Sequence, residues 1–504
     1  MNTSLRSGLL AAVSTVALTL PMAAQANIVK NVIMMVSDGA SWGTWDMASY
    51  WEFGAKGTQV YDNFDVKLGM TTQPLNTSSR PTYNDTPTVS YDPALAWDGT
   101  PTAPGSFAGY DYIKRGYTDS AAAGTALATG TKTYNSGISV DNFAQPLAMI
   151  TEKYKEAGRS VGVVTSVPFS HATPAAFGAN NINRSNYGEI ASQMVFGGVL
   201  DLIMGAGHPY YTDSGIERAP RFANETGSGG GYTPRSVWEN LTGDDAAMTL
   251  IEDRASFEAL ADGSLTVDGR LIGVPMVAST LQYNRDWRLF DYDPSTPTWS
   301  AYNTAVPSLA TMTTGALNHL GKNDEGFFVM IEGGAVDWAA HANWTEAIIE
   351  EQVDFNHSVR NAVNWVEANS NWDETLLLVL TDHGNGMPMG PNSDINPFEP
   401  IENRGAGEIP GVRWHYGTHT IENTLLWAQG AGAQELNNHI IGNDPWLALT
   451  LGHNNGDYID NTGIFGAIMT ASGMQPAPVP LPAGVVLLGT GLVAFGIARR
   501  RKAA

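Results

Sequence analysis

Residues 31–39 read NVIMMVSDG, in which the continuous apolar run at 31–36 stops at Ser37-Asp38-Gly39. An apolar run of this length, closed by turn residues, is typical of a strand that is buried on both faces of a parallel sheet. Two later runs have the same form, namely GFFVMI at 326–331 and LLLVL at 376–380. These strands alternate with helical segments and therefore predict an α/β fold with a mostly parallel central sheet.

Other elements complete this prediction. Apolar runs predict further strands at 160–165, 201–205 and 425–429, and helices at 120–129, 147–157 and 344–368. Two long segments lack a regular period. Residues 71–110, rich in Thr, Pro, Tyr and Asp, are expected to form a surface excursion, and residues 206–310 an inserted cap subdomain.

Polar residues follow the three long apolar runs. Asp38, Glu332 and the pair Asp382-His383 each stand directly after a predicted strand. Because the carboxyl ends of parallel strands meet at one edge of a sheet, we expect these side chains to converge. An isolated acid after a strand is usually a loop residue or a helix cap, but three together favour a site for polyvalent metal ions.

Two further residues have the spacing of zinc ligands. Asp337 and His341 are four positions apart and would share one face of a helix. The chain contains no cysteine, so any zinc must be bound by His, Asp or Glu.

Ser120 begins an alanine-rich helix, SAAAGTALAT, with Thr118 or Asp119 as its cap. A helix N-terminus offers free N–H groups and partial positive charge to a phosphate group, although a serine there often serves only as a cap. A divalent cation lowers the pKa of a hydroxyl, which would make Ser120 a nucleophile without a histidine base.

The overall charge excludes one class of partner. The 504 residues include 27 Lys and Arg against 50 Asp and Glu, a formal net charge of −23. A nucleic-acid-binding surface needs clustered cations and is therefore not expected. A small phosphate ester could still bind where metal ions supply the local positive charge.

Both ends of the chain have the composition of targeting signals. Residues 1–26 combine Arg6, an apolar run and Ala24-Gln25-Ala26, as in a secretory signal peptide. Residues 476–504 combine a proline-rich start, an apolar run and the basic cluster at 499–502. This tail resembles PEP-CTERM sorting signals of the VPLPA type, which implies export in a Gram-negative bacterium, transient anchoring in the inner membrane, and processing toward the periplasm, cell surface or matrix. A plain C-terminal membrane anchor is the alternative.

The motifs occur in the order found in the alkaline phosphatase family. The segments that carry this resemblance are Ser37-Asp38-Gly39, Thr118-Asp119-Ser120-Ala121-Ala122, His171-Ala172-Thr173-Pro174, Glu332-Gly333-Gly334 with Asp337 and His341, and Thr381-Asp382-His383. The resemblance spans roughly residues 30–435. It implies a three-layer sandwich and a catalytic domain over 27–475, with 71–110 and 206–310 as peripheral insertions.

The resemblance also implies a secreted phosphate monoesterase that holds two zinc ions and one magnesium ion. Ser120 would be the nucleophile and become transiently phosphorylated. The implied metal ligands are Asp337, His341 and His419 for the first zinc, Asp38, Asp382 and His383 for the second, and Asp38, Thr173 and Glu332 for magnesium. His415 is an alternative to His419.

The remaining implied site residues would contact the substrate. Arg184 matches the phosphate-binding arginine of the family, and Asp119 would orient it. His171 and Trp338 stand where some members of the family have Asp and Lys, which leaves the metal of the third site open. A homodimer is common in the family, but no interface can be identified in the sequence.

Two other functions fit part of the pattern. A phosphodiesterase or a sulfate-ester hydrolase could use the same scaffold. A non-enzymatic matrix protein that binds cations would fit the acidic composition and the tail, but would leave Ser120 unexplained.

Overall fold

The computed structural model describes residues 28–286 and 302–474. Its strands, in chain order, are β1 (Asn31–Ser37), β2 (Val66–Thr71), β3 (Pro101–Ala103), β4 (Ser106–Phe107), β5 (Ser160–Pro168), β6 (Leu202–Ala206), β7 (Thr249–Ile251), β8 (Leu271–Gly273), β9 (Phe327–Gly333), β10 (Thr375–Leu380), β11 (Gly384–Asn385), β12 (Pro388–Met389), β13 (Arg413–Trp414), β14 (His419–Thr420), β15 (Thr424–Gly430), β16 (Ile440–Asn443) and β17 (Asp457–Asp460). Eleven of them form one sheet in the order β16-β17-β2-β15-β10-β1-β9-β5-β6-β8-β7.

The sheet is mostly parallel, as predicted. All neighbours from β10 to β7 pair in parallel. The direction reverses where β15 pairs with β10 and β2, and again where β16 pairs with β17. A parallel sheet must be covered on both faces, because its strands are apolar on both sides.

Helices supply that cover. They are α1 (Trp42–Phe53), α2 (Pro93–Ala96), α3 (Ala108–Ile113), α4 (Ser120–Thr129), α5 (Ile150–Glu156), α6 (Ala172–Ala176), α7 (Tyr187–Phe196), α8 (Arg235–Leu241), α9 (Arg254–Ala261), α10 (Leu309–Leu320), α11 (Ala335–His341), α12 (Thr345–Asn369), α13 (Pro445–Leu449) and α14 (Thr462–Ala471).

Side chains of β1 show the three layers. Ile33 and Met35 point into one hydrophobic core, which also contains the buried residues of α10 and α12. Val32 and Met34 point into the opposite core, which contains residues of α4 and α14. Successive side chains of a strand point to opposite faces, so one apolar run serves both cores. The predicted three-layer α/β sandwich is confirmed.

Two regions have more regular structure than their sequences indicate. Residues 71–110 contain the short helix α2, the hairpin β3–β4 and the start of α3. Residues 206–286 contribute β7 and β8, which extend the parallel sheet at one end. These elements have two to six residues, which is too short to produce a recognisable period.

The predicted helix at 147–157 begins later than expected. It starts at Ile150, because the backbone N–H of Met149 donates to the Glu152 carboxylate at 2.8 Å and closes the first turn there.

Within the two described ranges, no helix has the length and apolar character needed to cross a membrane. The predicted signal peptide (1–26) and C-terminal sorting segment (476–504) both lie outside the described residues.

Candidate active site

Adjacent strands bring the predicted acids to one edge of the sheet. Val36 of β1 is in register with Glu332 of β9 on one side and with Leu380 of β10 on the other. Asp38 lies two residues after Val36, and Asp382 lies two residues after Leu380. All three acids therefore meet at the carboxyl ends of β10, β1 and β9, as the strand pattern predicts.

These three carboxyl groups are fully buried. Burial, reinforced by the neighbouring Asp382, raises the pKa of Asp38 well above its usual range. Burial also raises the pKa of Glu332 to about 7 and that of Asp382 to about 6. So many acids in one apolar location are stable as carboxylates only when positive charge compensates them.

A second group of ligands forms around helix α11. Asp337 and His341 lie on the same face of this helix, and the distance from Asp337 Oδ2 to His341 Nε2 is 3.4 Å. His419 on β14 approaches from the opposite side, with Nε2 at 3.3 Å from Asp337 Oδ1 and 3.0 Å from His341 Nε2. Burial favours protonation of Asp337, but His419 and His341 outweigh it and hold the pKa of this carboxyl below its usual range.

The donor sets fit metal ions. Asp337, His341 and His419 can hold one ion, and Asp38, Asp337 and His383 can hold another. Several of the predicted ligand atoms are buried and have no hydrogen-bond partner among the described residues: both carboxylate oxygens of Asp38, Oε1 of Glu332, Oδ2 of Asp382 and Oγ1 of Thr173. Buried polar atoms normally have partners, so a cation bound among these oxygens would explain their arrangement.

Ser120 lies close to the predicted metal ligands. It is the first residue of α4, with Asp119 as the N-cap, and its side chain is buried. Its Oγ lies 3.3 Å from Nε2 of His383, and the same nitrogen lies 3.5 Å from Asp38 Oδ1. The hydroxyl thus lies next to His383, one of the ligands that the family resemblance implies for the second zinc ion.

One carboxylate holds both the helix start and an arginine. Asp119 accepts hydrogen bonds from the N–H groups of Ala122 at 3.0 Å and Ser136 at 2.9 Å. It also forms an ion pair with Arg184, with Nη1 and Oδ2 3.0 Å apart. This pairing leaves other N–H groups of the guanidinium available for an oxyanion.

An open cavity of about 480 Å³ lies over these groups. Eight predicted site residues line it, namely Asp119, Ser120, His171, Arg184, Asp337, Trp338, His341 and His419. Tyr117 and Thr418 complete the lining. The rings of His171 and Trp338 are 5.6 Å apart on one side. Burial and the nearby Arg184 lower the pKa of His171 to about 3, so this imidazole is neutral at physiological pH.

His415 lies outside this arrangement. Its Nε2 is 2.6 Å from Ser393 Oγ, and its ring lies 4.7 Å from that of Tyr110. Of the two alternatives, it is His419 that contacts Asp337.

The structure also places residues in the site that the sequence reasoning missed. Asn385 donates through Nδ2 to Asp337 Oδ1 at 2.7 Å, and the hydroxyl of Thr165 donates to Glu332. Thr165 ends the predicted strand at 160–165, so the rule applied to the other strand ends would have indicated it. Tyr117 and Thr418 precede predicted site residues but have no distinctive spacing.

Comparison with known proteins identifies similar sequences. A sequence model of the alkaline phosphatase family matches residues 29–404. Alkaline phosphatase 4 of Bacillus subtilis is 32% identical over 291 residues, 56% of this chain and 53% of that protein. The alkaline phosphatase of Escherichia coli is 30% identical over 294 residues, 54% of this chain and 58% of that protein. The chain thus spans little more than half the length of these curated relatives.

Solved structures share the fold. The alkaline phosphatase from the Antarctic bacterium TAB5 is 22% identical with a TM-score of 0.58, over 88% of this chain and 99% of that one. The Thermus thermophilus alkaline phosphatase is 20% identical with a TM-score of 0.58, over 89% of this chain and 92% of that one.

Proposed function

This chain belongs to the alkaline phosphatase family, and on that premise we propose that it hydrolyses phosphate monoesters through a phosphoserine at Ser120. The observation that carries the proposal is the position of the Ser120 hydroxyl, 3.3 Å from His383 and in one cavity with Arg184 and the Asp337 group. A nucleophile, an oxyanion-binding cation and metal-capable ligands are the parts that phosphoryl transfer needs.

Each residue has a distinct role in the proposed reaction. Arg184, oriented by Asp119, binds two nonbridging oxygens of the phosphate group. The Ser120 oxygen forms a bond to phosphorus as the ester P–O bond breaks, the serine loses its proton, and the departing alcohol gains one. Water then cleaves the phosphoserine and releases inorganic phosphate, which restores the hydroxyl.

We propose the metal ligands that the family resemblance implies. Two zinc ions would be held by Asp337, His341 and His419, and by Asp38, Asp382 and His383. A magnesium ion would be held by Asp38, Thr173 and Glu332, with His171 and Trp338 beside the substrate. When bound, these cations supply Lewis-acid charge that lowers the pKa of the serine hydroxyl and of water. The unpartnered oxygens of Asp38, Glu332 and Thr173 support this assignment.

Comparison of two substrates tests the reaction. We expect the purified protein with its metal ions to release p-nitrophenol from p-nitrophenyl phosphate far faster than from bis(p-nitrophenyl) phosphate, because the monoester dianion carries one more charge for Arg184 and the cations. A preference for the diester, or for p-nitrophenyl sulfate, would favour the alternative hydrolases.

A serine variant tests the enzymatic assignment. Ser120→Ala is expected to retain its melting temperature and to lose nearly all turnover. Full activity in this variant would remove Ser120 from the mechanism, and an inactive wild type that binds cations would favour the matrix protein.

We further propose export of this chain. The sequence patterns at 1–26 and 476–504 support a cleaved signal peptide, transient anchoring in the inner membrane and release toward the periplasm or cell surface, with 27–475 as the catalytic domain. Terminal sequencing of the protein recovered from outside the cytoplasm would locate both cleavage positions, and its mass in solution would identify a homodimer.

A further inference from the structure

A second cavity lies beside the candidate active site. Its volume is about 110 Å³, and its lining includes Arg218, Arg221, Tyr232, Asp213 and Ser279. Arg218 is half-buried and Arg221 is exposed at the mouth. This volume accommodates one small group such as a phosphate, and not a whole organic substrate.

The charge of the second cavity is positive in a strongly acidic chain. The Nε of Arg218 is buried and has no hydrogen-bond partner among residues 28–286 and 302–474. Most other arginines of the described chain have a carboxylate partner, for example Arg235 with Glu239 and Arg254 with Glu258. With 27 basic residues against 50 acidic ones, two arginines that share a cavity without an ion pair to a described carboxylate are unusual.

The acidic groups near the second cavity already have partners. Asp213 accepts a hydrogen bond from the backbone N–H of Ser279 at 2.7 Å. Glu252 pairs with Nε2 of His208 at 2.7 Å, and Nδ1 of that ring accepts from the N–H of Tyr210. Among the described residues, neither guanidinium of this cavity has a carboxylate partner, and Nε of Arg218 has no hydrogen-bond partner.

Three neighbouring rings connect the linings of the two cavities. Tyr232 lines the second cavity. Its carbonyl oxygen accepts a hydrogen bond at 2.9 Å from Oγ of Ser170, the residue that precedes His171. The rings of Tyr232 and Tyr187 are 5.0 Å apart, and those of Tyr187 and His171 are 6.4 Å apart. The second cavity is thus two ring contacts away from a residue that lines the active site.

We propose that the second cavity binds a phosphate group through Arg218 and Arg221, and that it serves substrates that carry a second phosphate besides the one that is hydrolysed. A guanidinium pair fits a dianionic oxyanion, because each planar fork can donate to two oxygens. The statement about substrates rests on the proposed function, whereas the binding of phosphate does not.

Binding of inorganic phosphate tests the site itself. Calorimetric titration of the metal-containing protein is expected to show two phosphate ions per chain. Arg184→Ala should lose one of them, and Arg221→Ala or the double variant Arg218→Ala/Arg221→Ala should lose or weaken the other by roughly tenfold. Arg235→Ala is the matched control, since Arg235 is an exposed arginine of the same region with its own partner, and it should bind both ions.

A kinetic experiment shows whether the second cavity binds a phosphate group of the substrate or free phosphate. Alkanediol bisphosphates of increasing chain length are compared with the corresponding alkyl monophosphates. We expect one range of chain lengths to give a KM roughly tenfold below that of the monophosphate, and Arg221→Ala to abolish this difference without changing the KM of the monophosphate. Equal KM values at every length, with two phosphate ions still bound, would assign the site to free phosphate.

Two results would overturn the proposal. One is the binding of a single phosphate ion by the wild type, and the other is a second ion that persists in the double variant. An inactive wild type that binds a second ion dependent on Arg221 would contradict the proposed function and leave the anion site supported.

Discussion

Asn385 shows how a single amide can orient a proposed metal ligand, Asp337. Its side chain is fully buried and donates to both the carboxylate and, at 3.3 Å, the carbonyl oxygen of Asp337. Its own N–H donates to Ser41 Oγ at 3.0 Å, which ties it to the segment after β1. Groups that hold a ligand in this way control its orientation and therefore its affinity for the ion.

Replacement of this amide should weaken metal binding. We expect Asn385→Ala to bind zinc at the Asp337 group about 10–100-fold more weakly, because the carboxylate becomes free to rotate. Competition with a chelating dye measures this affinity. An unchanged affinity in a protein with an unchanged melting temperature would show that Asn385 does not position Asp337.

Glu422 is a buried acid outside the ligand groups. It accepts hydrogen bonds from Thr420 Oγ1 at 2.9 Å and from the N–H of Trp42 at 3.3 Å. Burial raises its pKa from 4.5 to about 7. The folded protein therefore keeps a proton that the unfolded chain loses, so this residue makes the folded state less stable as pH rises from about 4.5 to about 7.

The variant Glu422→Gln isolates this effect. At pH 5 its free energy of unfolding should be close to that of the wild type, and by pH 8 it should be roughly 1–3 kcal/mol higher, since the amide has no proton to lose. Denaturant unfolding at several pH values measures the difference. A difference that stays constant with pH would contradict the assigned pKa.

At the scale of elements, one buried aspartate joins the segment 71–110 to helix α13. Asp444 precedes α13 and is fully buried. It accepts from the Tyr91 hydroxyl at 2.7 Å and from Trp97 Nε1 at 3.1 Å, and it caps α13 through the N–H of Trp446. The ring of Trp97 also stacks on that of Trp42 at 4.5 Å, which connects the segment to α1.

Removal of this carboxylate should loosen the segment. Asp444→Ala leaves two buried donors unsatisfied and is expected to lower the free energy of unfolding by about 2–4 kcal/mol. Asp92→Ala is a suitable control, because Asp92 caps the neighbouring helix α2 but is exposed, and it should cost about 1 kcal/mol or less. Equal losses in both variants would show that Asp444 acts only as a cap.

At the scale of the whole molecule, the sheet places a group of acids in an apolar environment. Asp38, Glu332 and Asp382 are all fully buried. The proposed cations at this edge would stabilise the fold, because the unfolded chain does not hold the ligands together.

Metal removal should therefore lower stability as well as activity. Extensive chelation is expected to lower the melting temperature by at least a few degrees and to abolish turnover. Zinc and magnesium together should restore both. A melting temperature that does not respond to chelation, in a protein shown to be free of metal, would contradict the role of the ions in compensating the buried acids.

The parts of the site that follow from strand ends could be predicted, and the parts that depend on long-range packing could not. Asp38, Glu332 and Asp382 follow long apolar runs, and the geometry of a parallel sheet brings such positions together. The contact of Asn385 with Asp337 and the contacts of Asp444 with Tyr91 and Trp97 join segments that are far apart in the chain. No periodic pattern in the sequence indicates these contacts. The pairing of β7 and β8 at the end of the sheet could not be predicted for the same reason.

The most direct test of the proposed mechanism is to trap the phosphorylated enzyme. The protein is mixed with a phosphate monoester, quenched in acid and analysed by mass spectrometry of its peptides. We expect one phosphate on Ser120 in the wild type and none in Ser120→Ala. Steady hydrolysis by a wild type whose only trapped phosphate lies on another residue would contradict the assignment of Ser120 as the nucleophile.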